Sequence, residues 1–473
     1  MLASQSKDFS KWYNQVVLDA GLAEYSSIKG CMVIKPYGYA IWENMKNILD
    51  GMIKDLGVDN VYFPLFIPES FLKKEAEHVE GFDPEVAWVT QGGGKELGER
   101  LALRPTSETV MYDTFSKWIQ SHRDLPLKVN QWANIIRWEK RTRLFLRTLE
   151  FLWQEGHTVH ADERGAEEMT NSALAMYEDF IKNHLAIHTI PGRKSDAETF
   201  AGADYTLSVE SLMLDGKGLQ MGTSHNLGQN FAKSFDIKFL DEKEEQKYAW
   251  QTSWGVSTRM VGALIMAHGD DKGLVLPPRI APYQVVVVPI WKDNKEKKNL
   301  EKYISSIERG LSEKGIKFFV DWREQQTPGW KFNDWELKGA PLRLEIGPNE
   351  VEEKKVTFVL RDDLKKKPLA LDKFLEDAVS ILSEMQKRLL KRSEEFVKDN
   401  TRVAESYSDL KKIISEYSGF VEAFWCGDEK CEAEIKEETK ATIRNIPFGS
   451  GGKGKCVKCG KKSGHKVLFA KAY

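Results

Sequence analysis

The chain changes texture at Pro277 and Pro278, and that break constrains its architecture more than any other feature. Before it, apolar runs alternate with polar turns and tryptophans recur, but no strand-helix-strand repetition emerges. Such a pattern predicts an α+β layer on an antiparallel sheet. Within it, LGVDNVYFPLFIP at 56–68 reads as one strand broken by prolines, with Pro64 and Pro68 at an edge or an end. After the break comes YQVVVVPI at 283–290, a continuous apolar run that reads as a buried strand. A charged helical stretch from Asn294 to Lys314, the strand IKFFVDW, a Gly/Pro-bearing loop and a helix near Asn333 follow. PLRLEIGP at 341–348 and KVTFVLRD at 355–362 complete the set, which predicts a small α/β domain with a largely parallel sheet. Phe374, Ala378, Ile381, Met385 and Leu389 then recur at helical spacing and predict one long helix over about 371–400.

At roughly 150 residues per domain, 473 residues suggest three. The expected units are 1–280, 281–400 with the long helix, and a small α+β unit at 401–473. Hydrophobic residues at 41% and charged residues at 30% permit real cores. A net charge of −2 gives no general attraction to nucleic acid, so any RNA contact must come from local basic groups. No apolar stretch of about 20 residues predicts a membrane span, and the N-terminal residues carry no basic-then-apolar signal pattern; a cytoplasmic location is expected.

Four of the five cysteines fall in one C-terminal window, spaced Cys426-x4-Cys431 and Cys456-x2-Cys459. In a reducing compartment this spacing points to a tetrahedral zinc site built from all four cysteines. Four thiolates leave no open position, so such a zinc would be structural. Free thiols, a redox pair, or His465 as a substitute ligand remain open. GSGGKGK at 449–455 has the spacing of a phosphate-binding loop, but Cys456 stands where Ser or Thr would hold Mg2+ and no strand precedes it. It reads as a flexible loop between metal ligands.

Three constellations carry chemistry. RPTSET at 104–109 reads as a helix start with Thr106 as N-cap and Glu108 in the first turn, and equally as a hydroxyl and a carboxylate set to grip an ammonium group. NIIRWE at 134–139 puts Arg137 and Glu139 on one strand face, and an arginine fork suits phosphate or carboxylate. After a basic turn, Arg147 and then Phe151, Trp153, Glu155 and His157 continue the alternation on a second strand. Two aromatics, a carboxylate and an imidazole on one face suit a site better than a core, although a polar sheet surface would also explain them. QTSWGVSTRM at 251–260 reads as a tight glycine turn before Arg259 on a helix; alone, Arg259 could be a surface residue.

Together these segments resemble, in order, the three motifs of the class II aminoacyl-tRNA synthetases. Pro64 is similar to the motif 1 proline of the dimer interface, Arg137, Glu139 and Phe151 to motif 2, and Gly255 to Arg259 to motif 3. RPTSET, FLWQEGH, FAGADYT at 200–206 and LQMGTSHNLGQNF at 219–231 resemble the prolyl enzymes in particular. With the cysteine-bearing tail and the terminal Tyr473, the resemblance is to the archaeal and eukaryotic type and covers nearly the whole chain.

The resemblance implies activation of L-proline by ATP with Mg2+ and transfer to tRNA(Pro), by a homodimer. For ATP it implies Arg137, Glu139, Arg147, Phe151, Gln220, Thr223, Ser257 and Arg259. For proline it implies Thr106, Glu108, Arg137, Trp153, His157, Phe200 and His225. Arg137 and Arg259 would be the catalytic pair, and Glu336 and Arg343 would read anticodon guanines, unless they form ordinary salt bridges. About 90 residues separate His160 from Gln251, too few for the large editing insertion of bacterial-type relatives. A threonyl or histidyl synthetase, or a non-catalytic RNA-binding paralogue, are the alternatives. The first lacks its catalytic-site cysteine set here, and the last usually loses motif arginines that this chain retains.

Overall fold

The computed structural model describes residues 2–78 and 85–473. Its centre is an antiparallel run of strands ordered Ile190–Arg193, Tyr205–Leu212, Gly218–Gly228, Trp250–Ser257, Glu150–His160 and Leu127–Ile136. The helix Glu163–Asn183 covers one face, started by Asp162, whose carboxylate accepts the Gly165 N–H at 2.8 Å. Its Ala173, Tyr177, Phe180 and Ile181 are fully buried, and the Tyr177 hydroxyl donates to Gln154 at 2.6 Å. Opposite Gly156 in the register stands Trp254, whose indole lies where a Cβ on Gly156 would be, 2.2 Å away. Only a glycine there lets the buried indole cross the neighbouring strand.

The 56–68 segment is not one strand. Asp59–Asn60 pairs with Leu127–Ile136, whereas Phe66–Pro68 joins a separate three-stranded sheet. Between them the backbone is held by Arg104, which donates to the Phe63 carbonyl at 2.7 Å and whose own N–H donates to Leu65 at 2.9 Å. The prolines interrupt the ladder, and a buried guanidinium replaces its missing donors.

The second unit has the expected element order: Val285–Pro289, helix Asn294–Glu313, Phe318–Val320, helix Pro328–Leu337, Leu342–Ile346 and Lys355–Leu360. Its sheet is mixed rather than largely parallel. The first three strands are parallel, but Leu342–Ile346, Lys355–Leu360 and Lys366–Ala370 are joined antiparallel through short connections that leave no length for a crossover helix. The helix Leu371–Asp399 buries Phe374, Ala378, Leu382, Met385 and Leu389 and touches the other units as well. Gln386 donates to the carbonyls of Asn183 and His184, Ser393 accepts from His188, and Arg388 pairs with Asp362 at 2.8 Å.

The last segment has its own core, with Leu410, Val421, Ile435, Ile443 and Phe469 fully or nearly fully buried. Its sheet is continuous with the central one: Thr442–Pro447 pairs antiparallel with Ile190–Arg193, giving 12 strands in all. The GSGGKGK segment is a strand, Gly451–Lys455, rather than a flexible loop, and contrary to expectation a strand, Thr442–Pro447, does precede it. Gly454 lies against the Phe424 ring, leaving no space for a side chain, and that contact fixes it.

Candidate active site

The strand Glu150–His160 is the floor of a cleft of about 690 Å3. Strand alternation turns Phe151, Trp153, Glu155 and His157 into it. Thr106 and Glu108 enter from the start of the helix Glu108–Trp118, Arg137 and Glu139 from beyond the end of Leu127–Ile136, and Gln220, Thr223 and His225 from Gly218–Gly228. Ser257 and Arg259 enter where Trp250–Ser257 turns into the helix Arg259–His268, and Phe200 from the loop before Tyr205–Leu212. One expected residue is outside this lining: Arg147 belongs to the turn before the strand, not to the strand itself, and sits 3.7 Å from Glu139.

Local details differ from the sequence reading in two places. Ser107, not Thr106, stands at the N-cap position, and neither hydroxyl caps the helix: Thr106 donates to the Glu108 carboxylate and Ser107 to Glu155. Gly255 lies within a strand rather than in a turn; a Cβ there would meet the Gln154 carbonyl at 2.9 Å.

Glu155 is the residue the sequence reading left without a role. It accepts from Ser107 Oγ at 2.5 Å and Gln131 Nε2 at 2.8 Å, and lies 3.1 Å from His157 Nε2. Its alternation with His157 was the available signal; its partners Ser107 and Gln131 carry none. Glu108, Glu155 and Glu139 all act on Arg137, and Arg137 and Arg147 both act on Arg259, so carboxylates and guanidiniums face one another across one cleft. Burial among protein atoms lowers the Arg137 pKa, opposed by Glu108, Glu155 and Glu139. Burial, with Arg137 and Arg147 adding like charge, brings Arg259 down to about 10, still charged at neutral pH. Like charges so crowded favour an anion between them. The Arg137 guanidinium is anchored by a 3.0 Å bond to the Pro105 carbonyl and stands 5.5 Å from both the Phe151 and Trp153 rings. In the walls, Trp153 Nε1 and Ser253 Oγ have no hydrogen-bond partner among the described residues. Such a site can hold a small cation-bearing acid against its carboxylates and a polyanion with a flat ring against its arginines and aromatics.

Elsewhere, Arg343 and Glu336 lie together, 3.0 Å apart, with Arg343 also 3.0 Å from Glu345 and stacked 4.5 Å over Phe332. The Sγ atoms of Cys426, Cys431, Cys456 and Cys459 all lie within 4.8 Å of one another, with Cys426 to Cys431 and Cys426 to Cys459 at 3.7 Å. Tetrahedral Zn–S bonds of about 2.3 Å require sulfurs about 3.8 Å apart, so the donor set fits that ion.

This antiparallel core and its arginine-lined cleft define a class II aminoacyl-tRNA synthetase. Residues 88–268 match the tRNA synthetase class II core domain (G, H, P, S and T), and 284–380 match the anticodon binding domain. Residues 407–473 match the prolyl-tRNA synthetase C-terminal domain. The chain is 52% identical to the "Proline--tRNA ligase" of Natranaerobius thermophilus, over 100% of its own length and 98% of that protein's. It is also 52% identical to that of Chlorobium chlorochromatii, over 100% and 99%. A crystal structure of prolyl-tRNA synthetase from Cryptosporidium parvum, complexed with halofuginone and AMPPNP, superposes with a TM-score of 0.95 at 42% identity, covering 100% of this chain and 99% of that one. The chain belongs to the prolyl-tRNA synthetase family: it activates proline with ATP and Mg2+ and charges tRNA. Among the described residues no helix is long and apolar enough to cross a membrane.

The buried histidines set an acid limit. Burial pushes His160 down to about 4, His225 to about 3 and His268 to about 4, from 6.5. Lys128 beside His160 and His157 beside His225 push the same way. Unfolding lets all three take up protons between those values and 6.5, so their contribution to stability falls as pH drops through that window. His157 is raised despite its burial, because Glu155 and Glu108 favour its charged form, and it works in the opposite direction. The urea midpoint is expected to fall from pH 7 to pH 5, and less steeply in His225→Asn; equal slopes in the two proteins would contradict the assignment.

Proposed function

We propose that the cleft performs adenylation by positioning and charge stabilisation alone. The attacking carboxylate of proline is already ionised at neutral pH, so no base is needed and the work falls on guanidinium groups around the phosphate. Arg137 bridges the proline carboxylate and the α-phosphate. Glu139 meets the adenine edge, Phe151 and Arg259 sandwich the ring, and Gln220, Thr223 and Ser257 complete the nucleotide contacts with Mg2+ nearby. Arg147 leaves Glu139 to meet the outer phosphates. At the other end Thr106 and Glu108 take the secondary ammonium, with His225 close by, while Trp153, His157 and Phe200 enclose the apolar ring. The observation that carries this reading is that one cleft brings the buried guanidiniums of Arg137 and Arg259 together with the carboxylates of Glu108 and Glu155 and the rings of Phe151 and Trp153. The nucleotide analogue in the Cryptosporidium parvum enzyme supports it.

We read residues 1–280, 281–400 and 401–473 as catalytic, anticodon-binding and metal-binding domains, the last held by a structural zinc on Cys426, Cys431, Cys456 and Cys459. The exposed Tyr62 and Phe66 flank Pro64 and support a homodimer through that face. Charging of tRNA fits a cytoplasmic location. Editing of alanyl-tRNA in cis is not expected; the 161–250 interval supplies strands and helices of the catalytic core itself.

Arg137→Ala is expected to lower ATP-pyrophosphate exchange at least about 100-fold, as for other lost transition-state donors; near-wild-type exchange would remove its role. Arg343→Ala should leave exchange intact and lower tRNA charging, because Arg343 would exchange Glu336 and Glu345 for a guanine edge. Equal charging by variant and parent would return the pair to a structural role. Metal analysis should find one zinc per chain, and a metal-free, fully folded protein would overturn the assignment of the four cysteines as its ligands.

A further inference from the structure

The 401–473 segment reaches the cleft without lining it. Beyond the strand Ile190–Arg193, where Thr442–Pro447 extends the central sheet, the chain leaves the sheet. It makes one short turn over Asp196–Glu198 and then delivers Glu198 and Phe200 to the cleft wall. The C-terminal segment supplies a partner at three points along this stretch. The buried Lys194 Nζ donates to the Arg444 carbonyl at 2.7 Å and to Glu210 at 2.8 Å, and the Arg444 guanidinium returns to Glu210 at 2.8 Å. Ser195 Oγ donates to Glu432 Oε1 at 2.8 Å, and Lys436 pairs with Glu198 at 3.3 Å.

Glu432 is the unusual member. It follows Cys431 in the first turn of the helix Glu429–Thr439 and is 4% exposed, and its second oxygen has no hydrogen-bond partner among the described residues. A carboxylate buried on one hydroxyl costs stability that an apolar pair would not. Packing therefore does not account for it, whereas a directional bond that fixes Ser195 does. Ser195 is tied in turn to the residues just before Phe200, its carbonyl accepting from the Glu198 N–H and from Thr199 Oγ1, both at 3.1 Å, while the Phe200 N–H donates to Thr206 Oγ1 at 3.0 Å and its ring lies 4.7 Å from that of His225.

We propose that the C-terminal segment positions the proline-side wall of the cleft, with Glu432 as a positioning residue that acts through Ser195 on the loop carrying Phe200. This rests on the reading of Phe200 as a wall of the proline pocket. Loosening the Ser195 end frees a wall that must close on a small ring, and that cost falls on proline binding. Arg137, Phe151 and Arg259 stand on other elements, so nucleotide binding is spared.

ATP-pyrophosphate exchange by the full chain tests this, with Glu432→Ala, Ser195→Ala, Glu432→Gln and Phe200→Ala. Glu432→Ala and Ser195→Ala are expected to raise the proline KM roughly fivefold, the size of one lost hydrogen bond, with ATP KM and kcat nearly unchanged. Glu432→Gln should restore the parent value, since its amide oxygen accepts the same bond. Should Glu432→Ala fail to fold, Ser195→Ala carries the test. An unchanged proline KM in Ser195→Ala, with a raised one in Phe200→Ala, overturns the coupling and leaves the pocket reading standing. Proline and ATP KM rising together would show a general structural role and overturn it too. If Phe200→Ala itself leaves the proline KM unchanged, the wall assignment falls and the proposal with it.

Discussion

The carboxylate of Glu155 is the fixed point of the molecule. Its partners come from three places in the chain: Ser107 at the head of a helix, Gln131 on the adjacent strand, and His157 on its own. Holding that one anion locks the helix that presents Thr106 and Glu108 against the strand that presents Phe151 and Trp153. A buried anion needs such donors to persist. Glu155, with Glu108 and Glu139, also opposes the desolvation of Arg137, so the geometry and the electrostatics of the cleft share a residue.

Many contacts fasten the second unit to the catalytic core, and one of them lies between its basic groups and the cleft. Arg361 grips Asp270 with both nitrogens, at 2.8 and 2.5 Å, and donates to the carbonyl of Glu336 at 2.8 Å. Asp270 follows directly on the helix that begins at Arg259. The residues proposed to read RNA and those proposed to hold nucleotide are therefore joined by short, direct contacts at the end of one helix, Lys272 to Glu336 among them, and not through a flexible tether.

Much of this was legible in the sequence, and what was missed has physical reasons. The VVVV run and the 3.6-residue stripe of Leu371–Asp399 announce their elements because burial is one-sided or total there. The alternation from Phe151 to His157 announced a site face because strands turn every second residue the same way. Resemblance, not spacing, brought in Gln220, Thr223 and His225. Sequence could not show that 56–68 divides between two sheets, since the divider is Arg104, distant from the prolines and recognisable only by its hydrogen bonds. Nor could it show Ser107 and Gln131 meeting Glu155, or the central sheet running on into the last segment through two residue pairs. These are long-range contacts between residues with no local signature.

The helix Leu371–Asp399 has 29 residues, and at 1.5 Å per residue it is a rod about 44 Å long. It touches all three units at fixed points, Gln386 and Ser393 on the core, Arg388 on Asp362 of the second unit, and Val397 packed with Phe420 and Leu468 of the last. One residue inserted in its middle would turn everything beyond it by about 100°. Length variation among chains of this design should therefore collect in surface loops, and this rod should accept substitutions while refusing insertions and deletions.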